Sequence, residues 1–130
     1  MRLTRRGFVG AAALAGLLLA TRRLPAAVSA RVFVLGGGYA GSCCAKYLKR
    51  LDPTLAVTLL SRPGPYYTCP FSNLVLAGRL GLDELARDHA ALAQAGVEVV
   101  YGEAVAVDPV AKRVRLADGR EFGADRLVLA

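Results

Sequence analysis

The chain has 130 residues, with 17 Lys or Arg against 10 Asp or Glu and a formal net charge of +7. Five of those cations (Arg2, Arg5, Arg6, Arg22 and Arg23) lie in residues 1–30, which hold no acidic side chain, so residues 31–130 carry only +2. That balance removes the case for a nucleic-acid surface, and three cysteines with a single histidine and no Cys-x-x-Cys pair argue against a disulfide scaffold or a metal site.

Residues 1–30 read as a twin-arginine signal peptide. Thr4-Arg5-Arg6-Gly7-Phe8-Val9 leads into an apolar stretch from Phe8 to Ala20, shorter than the roughly 20 residues that cross a bilayer. Val28-Ser29-Ala30 supplies a small-residue cleavage site. No stable membrane span is expected. Twin-arginine export moves folded proteins, so the leader predicts a periplasmic protein that loads a cofactor before it leaves the cytoplasm.

Arg31-Val32-Phe33-Val34-Leu35 is an apolar run consistent with a strand buried on both faces. It stops at Gly36-Gly37-Gly38-Tyr39-Ala40-Gly41, a G-x-G-x-x-G pattern placed between a strand and a helix, where the pattern carries meaning. Gly36 permits the tight turn, Gly38 leaves room for a pyrophosphate, and Gly41 allows close helix–strand packing. Tyr39 and Ala40 open a helix whose free N–H groups and positive end suit phosphate. Its expected inner stripe is Ala40, Cys44, Tyr47, Leu48 and Leu51, with Lys46, Lys49 and Arg50 outside. Cys43 and Cys44 read as small packing residues, at most one of them facing the strand. Asp52-Pro53 ends the helix, and residues 55–60 form a second strand, parallel to the first.

An acidic residue normally follows that second strand, about 20 residues past the glycine motif, to bind a ribose hydroxyl. Here the place holds Ser61-Arg62. A hydroxyl beside a guanidinium suits the 2′-phosphate of NADP, whereas Ser61 alone suits the ribose of FAD; local chemistry leaves both open. Residues 61–81 form a long irregular stretch with Pro63, Pro65 and Pro70, of a length that is commonly functional. A helix is expected over 82–95, with Leu82, Leu85, Ala86, His89, Leu92 and Ala93 inward and Gly96 as its stop. His89 reads as a packed, hydrogen-bonded core histidine without chemistry. Residues 97–101 predict a third parallel strand, 104–107 and 113–116 two shorter ones, and Asp118-Gly119 a hairpin turn before Glu121-Phe122. Residues 125–130 begin a further buried strand, so the expectation is an α/β, Rossmann-like domain with a central parallel sheet and a small β-meander, incomplete at its C-terminus.

These segments resemble the flavoprotein subunit of flavocytochrome c sulfide dehydrogenase, within the two-dinucleotide-binding flavoproteins. The resemblance covers residues 31–130 and rests on Val34-Leu35-Gly36-Gly37-Gly38, on Ala45-Lys46-Tyr47 and above all on Tyr66-Tyr67-Thr68-Cys69-Pro70-Phe71-Ser72-Asn73. It implies an FAD-binding N-terminal domain, with a thioether from Cys69 to the flavin 8α-methyl. It also implies a sulfide oxidoreductase that passes electrons to a c-type cytochrome subunit. No Cys-x-x-Cys-His heme attachment occurs here, so the heme belongs to another chain. Ser61 stands where that family has an acidic ribose ligand, and Pro70 and Phe71 also depart from its pattern. The family's redox-active cysteine pair belongs to later sequence, so no catalytic residue is assigned here. Two other readings share the motifs: a sulfide:quinone oxidoreductase or NAD(P)H-dependent flavin reductase of the same architecture, and a truncated, non-catalytic nucleotide-binding remnant.

Overall fold

The computed structural model describes residues 28–130. The signal-peptide reading of 1–30 therefore lies almost wholly outside the described residues. The central element is a parallel sheet of β1 (Arg31–Leu35), β2 (Ala56–Ser61), β5 (Glu98–Tyr101) and β9 (Arg126–Leu129), in the order β5-β2-β1-β9. Successive strands therefore add on one side of β1 and then on the other. The α/β, Rossmann-like fold expected from the sequence is what forms. A two-stranded antiparallel ribbon joins β3 (Tyr66–Tyr67) to β4 (Ala86–Arg87), and a meander links β6 (Ala104–Asp108), β7 (Arg113–Leu116) and β8 (Glu121–Gly123). Its β7–β8 hairpin turns at Gly119, where φ is 87°.

Two apolar clusters cover the two faces of the parallel sheet. On one face Val32, Val34, Val57 and Leu59 meet Ala45 of helix α1 (Tyr39–Leu51) and Leu92 of helix α3 (Ala90–Gln94). On the other, Phe33, Leu60 and Val100 meet Val114 and Leu116 of the meander. Burial on both sides explains why the β1 and β2 sequences are nearly continuous apolar runs.

Three details differ from the sequence reading. The inward face of α1 is Gly41, Ser42 and Ala45, flanked by Cys44 and Leu48, whereas Ala40 is exposed and Tyr47 and Leu51 are 53% and 81% exposed. The small side chains at 41 and 45 let the helix sit close to the sheet, and that contact sets its rotation. Cys44 packs on the core and Cys43 is half-buried, so only one of the pair joins the cluster.

No single helix spans 82–95. A 3₁₀ turn at Leu82–Leu85 leads into β4, and α3 starts only after His89. Pairing of Ala86 and Arg87 with Tyr67 and Tyr66 overrides the helical periodicity. Asp88 accepts from the Ala90 N–H at 3.0 Å and restarts the helix. The stretch 61–81, read as irregular, contains β3 and the one-turn helix α2 (Ser72–Leu76).

Candidate functional site

The glycine turn is built by close backbone approach. Gly36 has a φ of 115°, and a Cβ there would strike the Ala130 carbonyl. At Gly41 a Cβ would strike the Gly36 carbonyl, which is how tightly the helix start packs on the turn. Gly38 is different: nothing lies within 4 Å of where its Cβ would be. This is the space a pyrophosphate needs, and it opens at the head of α1. That helix has no side-chain cap and no acidic residue in its first turn, while Lys49 and Arg50 sit in its last. Its unsatisfied N–H groups and positive end remain available to an anion. Tyr39 and Ala40, both exposed, form this first turn.

Gly37, merely the variable position of the motif, is also constrained. A Cβ there would collide with the side chain of Ser61 and reach His89 Nε2 at 3.0 Å. Its carbonyl accepts two hydrogen bonds, from Ser42 Oγ at 3.1 Å and from His89 Nε2 at 2.7 Å. Because a carbonyl only accepts, this contact places the ring proton on Nε2. His89 is 1% exposed, stacks on Tyr66 with centroids 5.1 Å apart, and lies 6.1 Å from the Tyr101 ring. It is the packed, hydrogen-bonded histidine expected, and its partner is the glycine turn itself. Ser42, Gly37 and His89 were not legible as site residues; only a glycine in the free position of the motif hinted at them.

A cleft of about 430 Å³ opens at the carboxyl ends of β1, β2 and β5. This is where open α/β sheets bind ligands, beside the strand at which the order reverses. Gly36, Gly37 and Gly38 form one wall, Ser61 and Arg62 a second, and Gly102 with Glu103 a third. Ser61 is buried at the tip of β2 against Gly37, while Arg62 is exposed, with no hydrogen bond or ion pair among the described residues. The candidate residues Gly36, Gly38, Ser61 and Arg62 therefore share one cleft. These features suit a dinucleotide: an open glycine, a free helix start and polar groups at the end of β2.

Cys69 lies outside that cleft, as an exposed free thiol just before α2. Its neighbours Thr68, Pro70 and Phe71 line a second hollow together with Tyr39 of α1. The chain thus brings the cysteine segment to the same helix start that the glycine turn serves. Phe71 takes a left-handed conformation (φ 70°) as it leads into α2, and Thr68 N–H donates to the Leu85 carbonyl at 3.0 Å.

The perturbed carboxyl groups lie away from the cleft. Side-chain and backbone hydrogen bonds from Thr54 hold the Asp52 carboxyl below the usual range; those of Arg120 do so for Asp118, and the Arg31 backbone N–H and guanidinium for Asp125. Among the described residues no group of His, Cys, Asp and Glu could hold a metal ion, and no helix is long and apolar enough to cross a membrane.

Several known proteins are similar to this chain in sequence, and one of them also in solved structure. The "Sulfide dehydrogenase [flavocytochrome c] flavoprotein chain" of Chlorobaculum thiosulfatiphilum is 53% identical over 45 residues, 35% of this chain and 94% of that one. The "Probable ferredoxin reductase CtmF" of Castellaniella defragrans is 35% identical over 77% of this chain and 25% of its own. The sulfide-quinone reductase of Aquifex aeolicus is 33% identical over 76% of this chain and 23% of its own, and its crystal structure superposes with a TM-score of 0.69 at 28% identity. The chain thus spans about a quarter of the length of the latter two. Residues 30–130 match the pyridine nucleotide-disulphide oxidoreductase family, and the chain belongs to it.

Proposed function

We propose that this chain is the N-terminal, flavin-binding part of a periplasmic FAD-dependent oxidoreductase that oxidises sulfide and delivers electrons to a c-type cytochrome partner. The observation that carries the reading is the convergence of the Cys69 segment and the glycine turn on the first turn of α1. The flavocytochrome c flavoprotein chain, at 53% identity over 45 residues, supports the same reading. In it, the backbone at Gly36, Gly38 and Gly41 with the N–H groups at Tyr39 and Ala40 holds the diphosphate, and Ser61 and Arg62 lie toward the adenosine. Cys69 tethers the ring through its 8α-methyl. When bound, FAD supplies a two-electron acceptor that can release its electrons singly.

The role of this chain is to bind and position. The helix end offsets phosphate charge without a lysine. The sulfur link prevents loss of the cofactor in a compartment with little free flavin, and it withdraws electron density from the ring. Export through the twin-arginine leader fits a cofactor loaded before translocation; Arg5→Lys with Arg6→Lys is expected to strand the precursor in the cytoplasm.

The decisive experiment is acid precipitation of the full-length protein. The expected result is flavin colour in the pellet, lost to the supernatant in Cys69→Ala. Colour released from the unaltered protein overturns the covalent link, and absence of any flavin overturns the flavin reading. A second reading, with quinone as acceptor, is favoured by the likeness to the Aquifex sulfide-quinone reductase over 76% of this chain. Reduction of cytochrome c but not of a soluble quinone by the sulfide-treated protein separates the two.

A further inference from the structure

The cleft lacks a carboxylate where the end of β2 ordinarily provides one. Bound ribose presents hydroxyl protons that require an acceptor. Arg62 offers donors only, and Ser61 is packed beneath Gly37. Yet one carboxylate does line the cleft, and it comes from a different strand. Glu103 follows β5, which runs parallel to β2 with Tyr101 in register with Ser61, and the Gly102 N–H donates to the Ser61 carbonyl at 2.9 Å. Neighbouring strands lie about 4.8 Å apart, so the backbone of Glu103 sits beside the segment that leaves β2. Among the residues lining this cleft Glu103 is the sole acid, and among the described residues its side chain has no hydrogen-bond or ionic partner. The Glu103 carbonyl is fixed by the Ala117 N–H at 2.9 Å, which leaves the side chain unencumbered at the rim. The other cation nearby, Arg120, is occupied by Asp118 at 2.7 Å and by the Tyr101 carbonyl at 2.8 Å.

We infer that Glu103 is the specificity-determining carboxylate of this cleft: it accepts from the adenosine ribose hydroxyls in place of the acid missing from β2, and its charge disfavours the 2′-phosphate that Arg62 alone would attract. The ligand class is then an adenine dinucleotide with a free 2′-hydroxyl. This inference rests on the flavin reading above and adds a residue to it.

The test uses the full-length protein carrying Cys69→Ala, so that flavin exchanges freely, and compares FAD with its 2′-deoxyadenosine analogue by flavin fluorescence. With Glu103 present, FAD is expected to bind about tenfold more tightly than the deoxy analogue, as a hydrogen bond to a charged group warrants. In Glu103→Gln, FAD affinity is expected to fall about tenfold and the preference to drop below about twofold. Adenosine 2′,5′-bisphosphate is expected to compete better against this variant than against its parent. A thermal midpoint unchanged by Glu103→Gln confirms that only recognition moved. A tenfold preference that survives Glu103→Gln, or no preference with Glu103 present, overturns the inference while leaving the flavin reading intact. Failure of the parent to bind either flavin overturns both.

Discussion

The strand–turn–helix–strand unit of residues 31–61 and the segment of residues 62–95 that follows it are built on opposite terms. In the first, the sheet and the turn are tightly closed: Val34, Ala45 and Leu59 are inaccessible, and three glycines sit where a methyl group has no space. In the second, Phe71, Leu76 and Leu82 are more than half exposed, Tyr67 is nearly so, and the elements last two to five residues. The first region is specified by its own backbone. The second is held by its own β3–β4 ribbon and by the His89 contact to the glycine turn. The glycine turn belongs to the rigid part, whereas Cys69 belongs to the part with exposed apolar surface.

The sharpest way to break this contrast lies within the motif. Gly41→Ala forces a methyl group into the Gly36 carbonyl and is expected to cost about 3 kcal/mol of stability or more, with flavin content falling to background. Gly38→Ala meets no protein atom within 4 Å, so stability measured by urea unfolding is expected to change by less than about 1 kcal/mol. FAD affinity is nevertheless expected to fall about tenfold, because the methyl group occupies pyrophosphate space.

A second, smaller effect joins the two regions. His89→Leu removes one of the two donors to the Gly37 carbonyl and is expected to destabilise by about 1–3 kcal/mol; urea unfolding with and without FAD checks it. His89→Gln, which can still donate, is expected to recover part of that loss.

In the exposed segment the consequences shrink. Leu76, 90% exposed, is expected to tolerate Ser within about 0.5 kcal/mol by thermal unfolding. A larger loss would show that this surface is packed in the folded protein.

The smallest expected effect is acid sensitivity. Hydrogen bonds hold the Asp52, Asp118 and Asp125 carboxyls below their usual range in the folded state. Their contribution is therefore complete above the unfolded carboxylate value of about 4 and disappears as pH falls through the lowered folded values. Asp125→Asn is expected to flatten part of this decline in a pH-dependent unfolding series, with its small loss of stability present at neutral pH and vanishing in acid.

How much of the molecule was legible follows the same division. The β1–α1–β2 unit could be read because strand burial, the glycine spacing and Asp52-Pro53 are local demands that the chain states in order. The meander could be read from alternation and the Asp118-Gly119 turn. The helix drawn through 82–95 failed because its periodicity is genuine but outweighed: two residues in its middle pair with tyrosines about twenty positions earlier, and Asp88 was the overlooked sign of a fresh helix start. At the site, Gly36, Gly38 and Gly41 announced themselves. Ser42, His89 and Glu103 did not, because each gains its meaning from a neighbour that only the folded chain supplies.

The bond from His89 to Gly37 bridges 52 positions. The glycine turn is thus completed by a residue synthesised long after it, and closing so long a loop is slow compared with forming a local helix. During refolding, helical signal from α1 is expected to precede the ability to capture nucleotide, with capture waiting for the imidazole to dock. A newly made chain would then become competent for its ligand only once most of the domain had assembled, which protects it from gripping a cofactor around a half-formed core.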